Sequence, residues 1–326
     1  MSIHREPLVS VVTPVYNNDL DLEECIRSVI GQTYTNWEYI IVNNHSTDKS
    51  GEIATSFADR DPRIRVTHPS EFLPAIANHN FSLRQISATS KYCKVVFADD
   101  MIFPECIEKM VAVAEAHPSC GVVGAYALQG NKILGAPSPY PKTLIPGSMA
   151  CRQHLLYGTY MFGTATSVLY RADLIRSRAH FYNEANVHAD FEVCLEVLRT
   201  TDFGFVTQIL TYTRERPGSL TSYSSDLHTY VAGRLHGLVT YGHDYLSDTE
   251  YAACTRRLME DYYNFLAVNA LQGRWEKRFW EYHCARLVEE GCALRWGHLA
   301  KASAKRILRA ILNPAETLQK LRTALR

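Results

Sequence analysis

The residues best suited to chemistry lie in "CKVVFADDMIFPE" (93–105), where an apolar run ends on two adjacent carboxylates, Asp99 and Asp100. Carboxylates are seldom buried without a partner, and adjacent ones repel where water is scarce. Two further polar turns also follow apolar runs: "TPVYNN" (13–18) and "NNHSTD" (43–48). Another patch, "HADFEVCLEVL" (188–198), sets Asp190 at the start of a helical pattern, where the helix dipole favours a carboxylate. There is no G-x-G-x-x-G after a strand and no GxxxxGK[ST], which excludes the usual glycine cradles for phosphate.

The turns still suit a nucleotide. Tyr16 offers a ring for a base to stack on, and Asn44 offers an amide for a base edge. Without a glycine cradle the phosphates need another counter-charge. A divalent ion on Asp99 or Asp100 supplies it, because Mg²⁺ is commonly held by one or two carboxylates together with phosphate oxygens. Each feature also has a plainer reading: Asp99-Asp100 as cap and turn, Asn43-Asn44 as a simple loop, Tyr16 as packing, Asp190 as a helix cap. Their shared placement weighs against the plain readings, since ligands of open α/β sheets bind outside the carboxyl ends of the strands. His188 and Asp190 have no third metal ligand at fixed spacing.

Strands alternating with helices must position these turns. The pattern predicts strands at 8–13, 37–43, 63–66 and 94–97. Helices are expected at 20–30, 47–57 (with Ser46 as N-cap), 73–87 and from Pro104 onward. Such alternation implies βαβ units and a mostly parallel sheet. Residues 121–182 are mixed, with a Pro-rich loop, a helix near 147–157 and a strand in "GTATSVLYR"; a helix at 189–199 and a strand at 203–207 follow. After the polar loop "RERPGSLTSYSS" the pattern is helical, at 226–246, 248–271, 275–290, 294–311 and 315–325. The expected division is 1–222 and 223–326.

Composition narrows the classes. The 326 residues are 46% hydrophobic and 21% charged, with a formal net charge of zero, so nucleic acid gets no electrostatic support as a partner. Nine cysteines without a CxxC pair argue against a disulfide framework or zinc knuckle and for a reducing compartment. No apolar run is long enough to span a bilayer, and "MSIHREPLVSVVTP" lacks a signal-peptide core. A cytoplasmic location is expected.

Taken in order, these motifs resemble the family-two glycosyltransferases, inverting enzymes with a GT-A fold. The matching segments are "VSVVTPVYNN", "SVIGQTY", "EYIIV", "NNHSTD", "VVFADDMIFPE", "HADFEVCLEVL" and "FGFVTQILTYTR", over about residues 7–222. The resemblance implies a Rossmann-like mixed sheet flanked by helices, with a C-terminal all-helical extension. It implies transfer of a sugar from a nucleoside-diphosphate sugar (UDP or dTDP favoured, GDP possible) to a glycan or lipid-linked glycan, in bacterial surface-glycan biosynthesis. Pro14, Tyr16 and Asn44 would line the nucleobase pocket. Asp99 and Asp100 would hold Mg²⁺ or Mn²⁺ and the diphosphate, with Asp100 the better placed for coordination. Asp190 would be the general base, and Arg214 and Arg216 would hold the diphosphate in a closing loop.

The match has departures. Phe97 stands where an Asp is frequent, Asn43-Asn44-His45 replaces Asp-Asp-Gly, Ala189 replaces the first acid of a Glu-Asp pair, and Arg216 stands where a His is typical. Two other classes stay open: a sugar nucleotidyltransferase, which normally wants a glycine-rich basic loop, and a non-catalytic nucleotide-sugar or glycan binder, argued by the thinned acidic motifs. Acceptor contacts are expected in 130–165, at Pro137, Tyr140, Pro141 and Tyr157.

The last segment, 300–326, carries Lys301, Lys305, Arg306, Arg309, Lys320, Arg322 and Arg326 against Glu316 alone. Its apolar positions, among them Ile307, Leu308, Ile311 and Leu312, form either a core-facing stripe or the membrane face of a basic amphipathic helix.

Overall fold

The computed structural model describes residues 6–135, 143–159, 161–216 and 220–313, with backbone alone at 220 and 221. Pro137, Tyr140, Pro141 and the segment 314–326 lie outside the described residues. The chain separates into two compact units, 1–222 and 223–326.

The first unit opens with β1 (Val9–Val15), α1 (Leu22–Ile30), β2 (Trp37–Asn43), α2 (Ser50–Ala58), β3 (Ile64–Thr67), α3 (Ala75–Leu83) and β4 (Tyr92–Val95). It continues through β5 (Met101–Ile102), α4 (Cys106–Ala116), β6 (Cys120–Gln129), β7 (Lys132–Leu134), β8 (Leu144–Ile145) and α5 (Gly147–Tyr157). A 3-10 turn (Ala165–Ser167), β9 (Val168–Arg171), α6 (Ala172–Arg176), α7 (Ala189–Val197) and β10 (Asp202–Thr213) complete it. The sheet runs β3-β2-β1-β4-β9-β6-β10-β5, with β7 against β6 and β8 against β10.

The expected parallel half is there: β1 pairs in parallel with β2 and β4, and β2 with β3. The other half is mixed, because β9 runs antiparallel between β4 and β6. The buried strands read as continuous apolar runs, as strands covered on both faces must. Val9, Val11, Tyr39 and Ile41 pack with Leu22, Ile26 and Val29 of α1 and with Met110 of α4 in one core.

Local boundaries moved for identifiable reasons. Ser46 does not cap α2, which starts at Ser50; its hydroxyl accepts from the Asn17 N–H instead. Pro104 precedes α4 in a turn, with Glu105 at the N-cap. The strand predicted at 203–207 extends to Thr213, because β6 offers it a long parallel partner.

In the second unit α8 (Leu220–Leu227), which begins within the first, is followed by α9 (Tyr230–Tyr245), α10 (Asp248–Leu271), α11 (Lys277–Glu289) and α12 (Trp296–Leu312). Ser247 and Glu250 close a capping box on α10. Within this unit the buried His283 bonds the Tyr262 hydroxyl at 2.8 Å and the Leu227 carbonyl at 2.9 Å. Among the described residues no helix is long and apolar enough to cross a membrane.

Candidate active site

The first two polar turns are stitched together at the carboxyl ends of β1 and β2. Asn17 accepts from the Thr47 N–H at 2.8 Å, the Asn18 N–H donates to Ser50 at 2.8 Å, and the Asp19 N–H donates to Asp48 at 2.9 Å. Asn17 and His45 sit in the left-handed region, at φ 47° and 56°, which lets each strand turn away sharply without glycine. Pro14 is buried within β1, paired with Val42, and shapes the floor without an exposed face. Tyr16 emerges 49% exposed, its ring edge-on to Phe72 at 4.9 Å, and Phe72 is itself 54% exposed. Two large aromatics open to solvent at one strand end make a stacking surface. Phe72 escaped the sequence reading because nothing in its spacing ties a loop residue to Tyr16.

Asn44 is tied to the chain beside Tyr16's turn. It is 2% exposed, and its amide clamps one backbone residue from both sides: Nδ2 donates to the Leu73 carbonyl at 2.8 Å, and Oδ1 accepts from the Leu73 N–H at 3.0 Å. These two bonds hold the loop that carries Phe72.

Asp99 and Asp100 sit at the end of β4 in unequal surroundings. Asp100 is 2% exposed; its Oδ2 accepts from the Thr166 hydroxyl at 2.5 Å and its Oδ1 from the Arg214 N–H at 3.1 Å. Burial, and then the charge of Asp99, push its carboxyl up to about 7. Asp99 is half-buried, and burial raises it too, with Arg216 among the groups opposing the rise. The more open carboxylate is therefore Asp99.

The 3-10 turn after Thr164 joins this pair to Asp190. Thr166 binds Asp100 by its side chain, while the backbone of the preceding residue, Ala165, is among the groups that hold the Asp190 carboxyl down. Asp190 lies in the first turn of α7, half-buried, and also accepts from the Phe191 N–H at 2.9 Å. Burial raises its pKa, against the charge of His188. From behind, the fully buried Lys94 ammonium donates to the carbonyls of Thr166 and, at 3.1 Å, Val168, which pins the turn. Thr166 and Lys94 carried no sequence signal, since a hydroxyl in a loop and a lysine in an apolar strand match no motif.

His79 of α3 lies against Phe97 at 4.8 Å, half-exposed, its imidazole held down to about 4 by burial and so neutral near pH 7. An uncharged ring pair thus stands just before the two aspartates.

The two arginines differ in kind. The Arg214 guanidinium binds the Asp99 carbonyl at 3.1 Å, Asp21 at 2.9 Å and Glu24 at 2.7 Å. It is a strut between the end of β10 and α1. Arg216 reaches the Asn18 side chain and the Asn17 carbonyl, so it bridges the first turn to the end of β10. Tyr157, at the end of α5, is exposed. A cavity of about 310 Å³ lined by Gly147, Arg171, Arg199 and Asp202 lies at the other end of β6 and β10, away from the aspartates.

The pattern of glycosyl transferase family 2 matches residues 10–178, more than half of the chain. The chain belongs to that family. It is 27% identical over 242 residues to the glycosyltransferase GlyG of Streptococcus pneumoniae, covering 68% of this chain and 75% of that one. Among solved structures it is similar to Staphylococcus aureus TarS in complex with UDP-GlcNAc, with a TM-score of 0.64, 15% identity, and coverage of 86% of this chain and 80% of that one. It is also similar to the mannosyltransferase PcManGT of Pyrobaculum calidifontis in complex with GDP-Man and Mn²⁺, with a TM-score of 0.56, 14% identity, and coverage of 98% and 85%. At such identities the structural likeness speaks for the fold, and the fold is GT-A. This family-two glycosyltransferase carries its polar rim where the sheet's strands end, as the sequence motifs led one to expect.

Proposed function

We propose that this family-two enzyme is an inverting, divalent-metal-dependent transferase that moves a sugar from a nucleoside-diphosphate sugar to a hydroxyl of a glycan or lipid-linked glycan. The observation that carries the reading is the 3-10 turn at Ala165–Ser167, whose Thr166 hydroxyl holds Asp100 and whose Ala165 backbone bears on the Asp190 carboxyl. Residues 1–222 would do the chemistry, with 223–326 as an appended helical unit.

The aspartates fit a metal that arrives with its substrate. Among the described residues no group of three His, Cys, Asp or Glu side chains forms a metal cluster. Two neighbouring carboxylates raised by burial would suit an ion whose remaining ligands are phosphate oxygens and water. Asp99 and Asp100 would hold it, and when bound it offsets the charge of the departing nucleoside diphosphate. Tyr16 and Phe72 give the base a stacking surface, on floors set by Pro14 and by the Asn44 clamp. Arg216 adds positive charge beside Asp99. Asp190 takes the proton from the acceptor hydroxyl as that oxygen attacks the anomeric carbon opposite the leaving group, which inverts the configuration. Its raised pKa makes it a better proton acceptor than an ordinary carboxylate.

The reading puts the enzyme in the cytoplasm, and at the cytoplasmic face of a membrane wherever the acceptor is carried on lipid, as in bacterial surface-glycan assembly. UDP- and dTDP-sugars are the first donors to try and GDP-sugars the next. Incubation of a donor panel with Mn²⁺ and acceptor glycans tests it, with nucleoside diphosphate and product anomer read by NMR. Metal-dependent release with an inverted anomeric centre is expected; retention, or no release with any donor, contradicts the proposal.

A further inference from the structure

The second unit carries a surface that the transfer reaction does not use. In α12 only Leu299 is buried. Ile307, Leu308, Ile311 and Leu312 stand between 47% and 69% exposed, in a chain whose other large aliphatic residues are mostly packed. At helical spacing Trp296, Ile307 and Ile311 fall on one stripe, with Leu308 at its border, over about 22 Å of helix. Lys301, Lys305 and Arg309 form the adjacent row at i, i+4 and i+8, and Arg306 lies beyond them. The helix holds no acidic residue, and none of these four cations has an acidic partner among the described residues.

The stripe continues past the helix through aromatic rings. Trp296 lies nearly parallel to Trp280 at 6.4 Å, and Trp280 to Trp275 at 5.3 Å. Trp275 and Trp296 are 60% and 64% exposed. Exposed tryptophans beside exposed aliphatics are costly in water, but they suit the boundary between lipid headgroups and acyl chains, where indole rings concentrate.

We propose that α12, together with Trp296, Trp280 and Trp275, docks this unit onto an anionic phospholipid surface. The aliphatic stripe and the indoles would enter the interfacial layer while Lys301, Lys305, Arg306 and Arg309 meet lipid phosphates. Charge selects this occupant: a row of cations without an acidic partner among the described residues, along an apolar stripe, matches an anionic bilayer, and a second copy would set like charge against like. Lys320, Arg322 and Arg326, later in the sequence, add to the same sign. The inference rests on the proposed function for its location at a membrane face and supplies the surface that would hold the enzyme there.

Sedimentation of the full chain with phosphatidylcholine vesicles, with and without phosphatidylglycerol, tests it. Binding to the anionic vesicles that weakens at high salt is expected. The Ile307→Glu/Ile311→Glu variant should stay in the supernatant, and Lys305→Glu/Arg309→Glu should lose about tenfold or more in vesicle affinity. Both variants should keep the wild-type thermal transition, since the altered side chains are exposed. Wild-type protein that ignores anionic vesicles, variants that bind equally well, or a dimer that the Ile307→Glu/Ile311→Glu variant splits with no vesicle binding would each overturn the proposal. Vesicle binding is read without turnover, so failure of the donor panel would sink the transferase reading and leave this result standing.

Discussion

The Thr166 hydroxyl donates to the carboxylate of Asp100 at 2.5 Å across 66 residues of sequence, within a site buried from solvent. The backbone of its neighbour Ala165 is among the groups that hold the Asp190 carboxyl down, so one short turn bears on both carboxylates. That turn is anchored by Lys94 and by a capping box between Thr164 and Ser167.

Thr166→Val keeps the shape of the side chain and removes the hydroxyl. Among the described residues Asp100 then keeps the Arg214 N–H as a donor, and the Phe97 N–H loses the Thr166 hydroxyl it bonds at 3.2 Å. We expect activity to fall by about tenfold, in line with the loss of a hydrogen bond to a charged group, with recovery in Thr166→Ser. Titration of Mn²⁺ should show that the variant needs more metal for half-maximal rate; an unchanged metal requirement would mean that Thr166 only supports packing.

Asp190→Asn should lower turnover by about 10²–10⁴-fold, the usual contribution of a general base. The substitution leaves an acceptor for the Phe191 N–H, so the helix start should survive. Thermal shift with donor and Mn²⁺ should match the wild type. Near-normal turnover would show that another group takes the proton.

The pH dependence has a definite sign. Asp100 is held at about 7 in the folded protein, against about 3.9 for an unfolded aspartate. The native state therefore binds this proton more tightly, and stability is lost as pH rises through that window. Asp99 and Asp190 shift in the same direction. In metal-free buffer, Asp100→Asn should gain stability relative to the wild type between about pH 4 and 7. Melting temperatures measured across that range check this; a constant difference would contradict the buried, strained carboxylate.

Arg214→Ala and Asn44→Ala should act on stability before specificity. Each removes links between distant segments, Arg214 to Asp21 and Glu24, Asn44 to Leu73. Losses of about 1–3 kcal/mol in urea unfolding are expected for Asn44→Ala, whose removal leaves the part-buried Leu73 N–H and carbonyl without their side-chain partner. The preferred donor base should not change. A switch in base preference would restore Asn44 to a reading role.

Much of this site was legible because strand ends and helix starts impose residue types that a sequence displays openly. "TPVYNN", "NNHSTD" and "ADD" were placed on one rim by strand alternation alone, and the hydrogen bonds between Asn17, Asn18 and the 46–50 turn join the first two directly. What stayed hidden were the partners. Asn44 pairs with a residue 29 positions away, and Arg214 with residues about 190 away, through contacts that no periodicity encodes. The antiparallel insertion of β9 was hidden for the same reason: a short buried strand reads alike in either direction.

Binding of UDP, dTDP and GDP measured by calorimetry with and without Mn²⁺, on the wild type and on Asp99→Asn and Asp100→Asn, tests the central claim most directly. The account predicts that Mn²⁺ strengthens binding of at least one nucleotide to the wild type and that either substitution removes the gain. Nucleotide binding indifferent to Mn²⁺ and to both substitutions would contradict it.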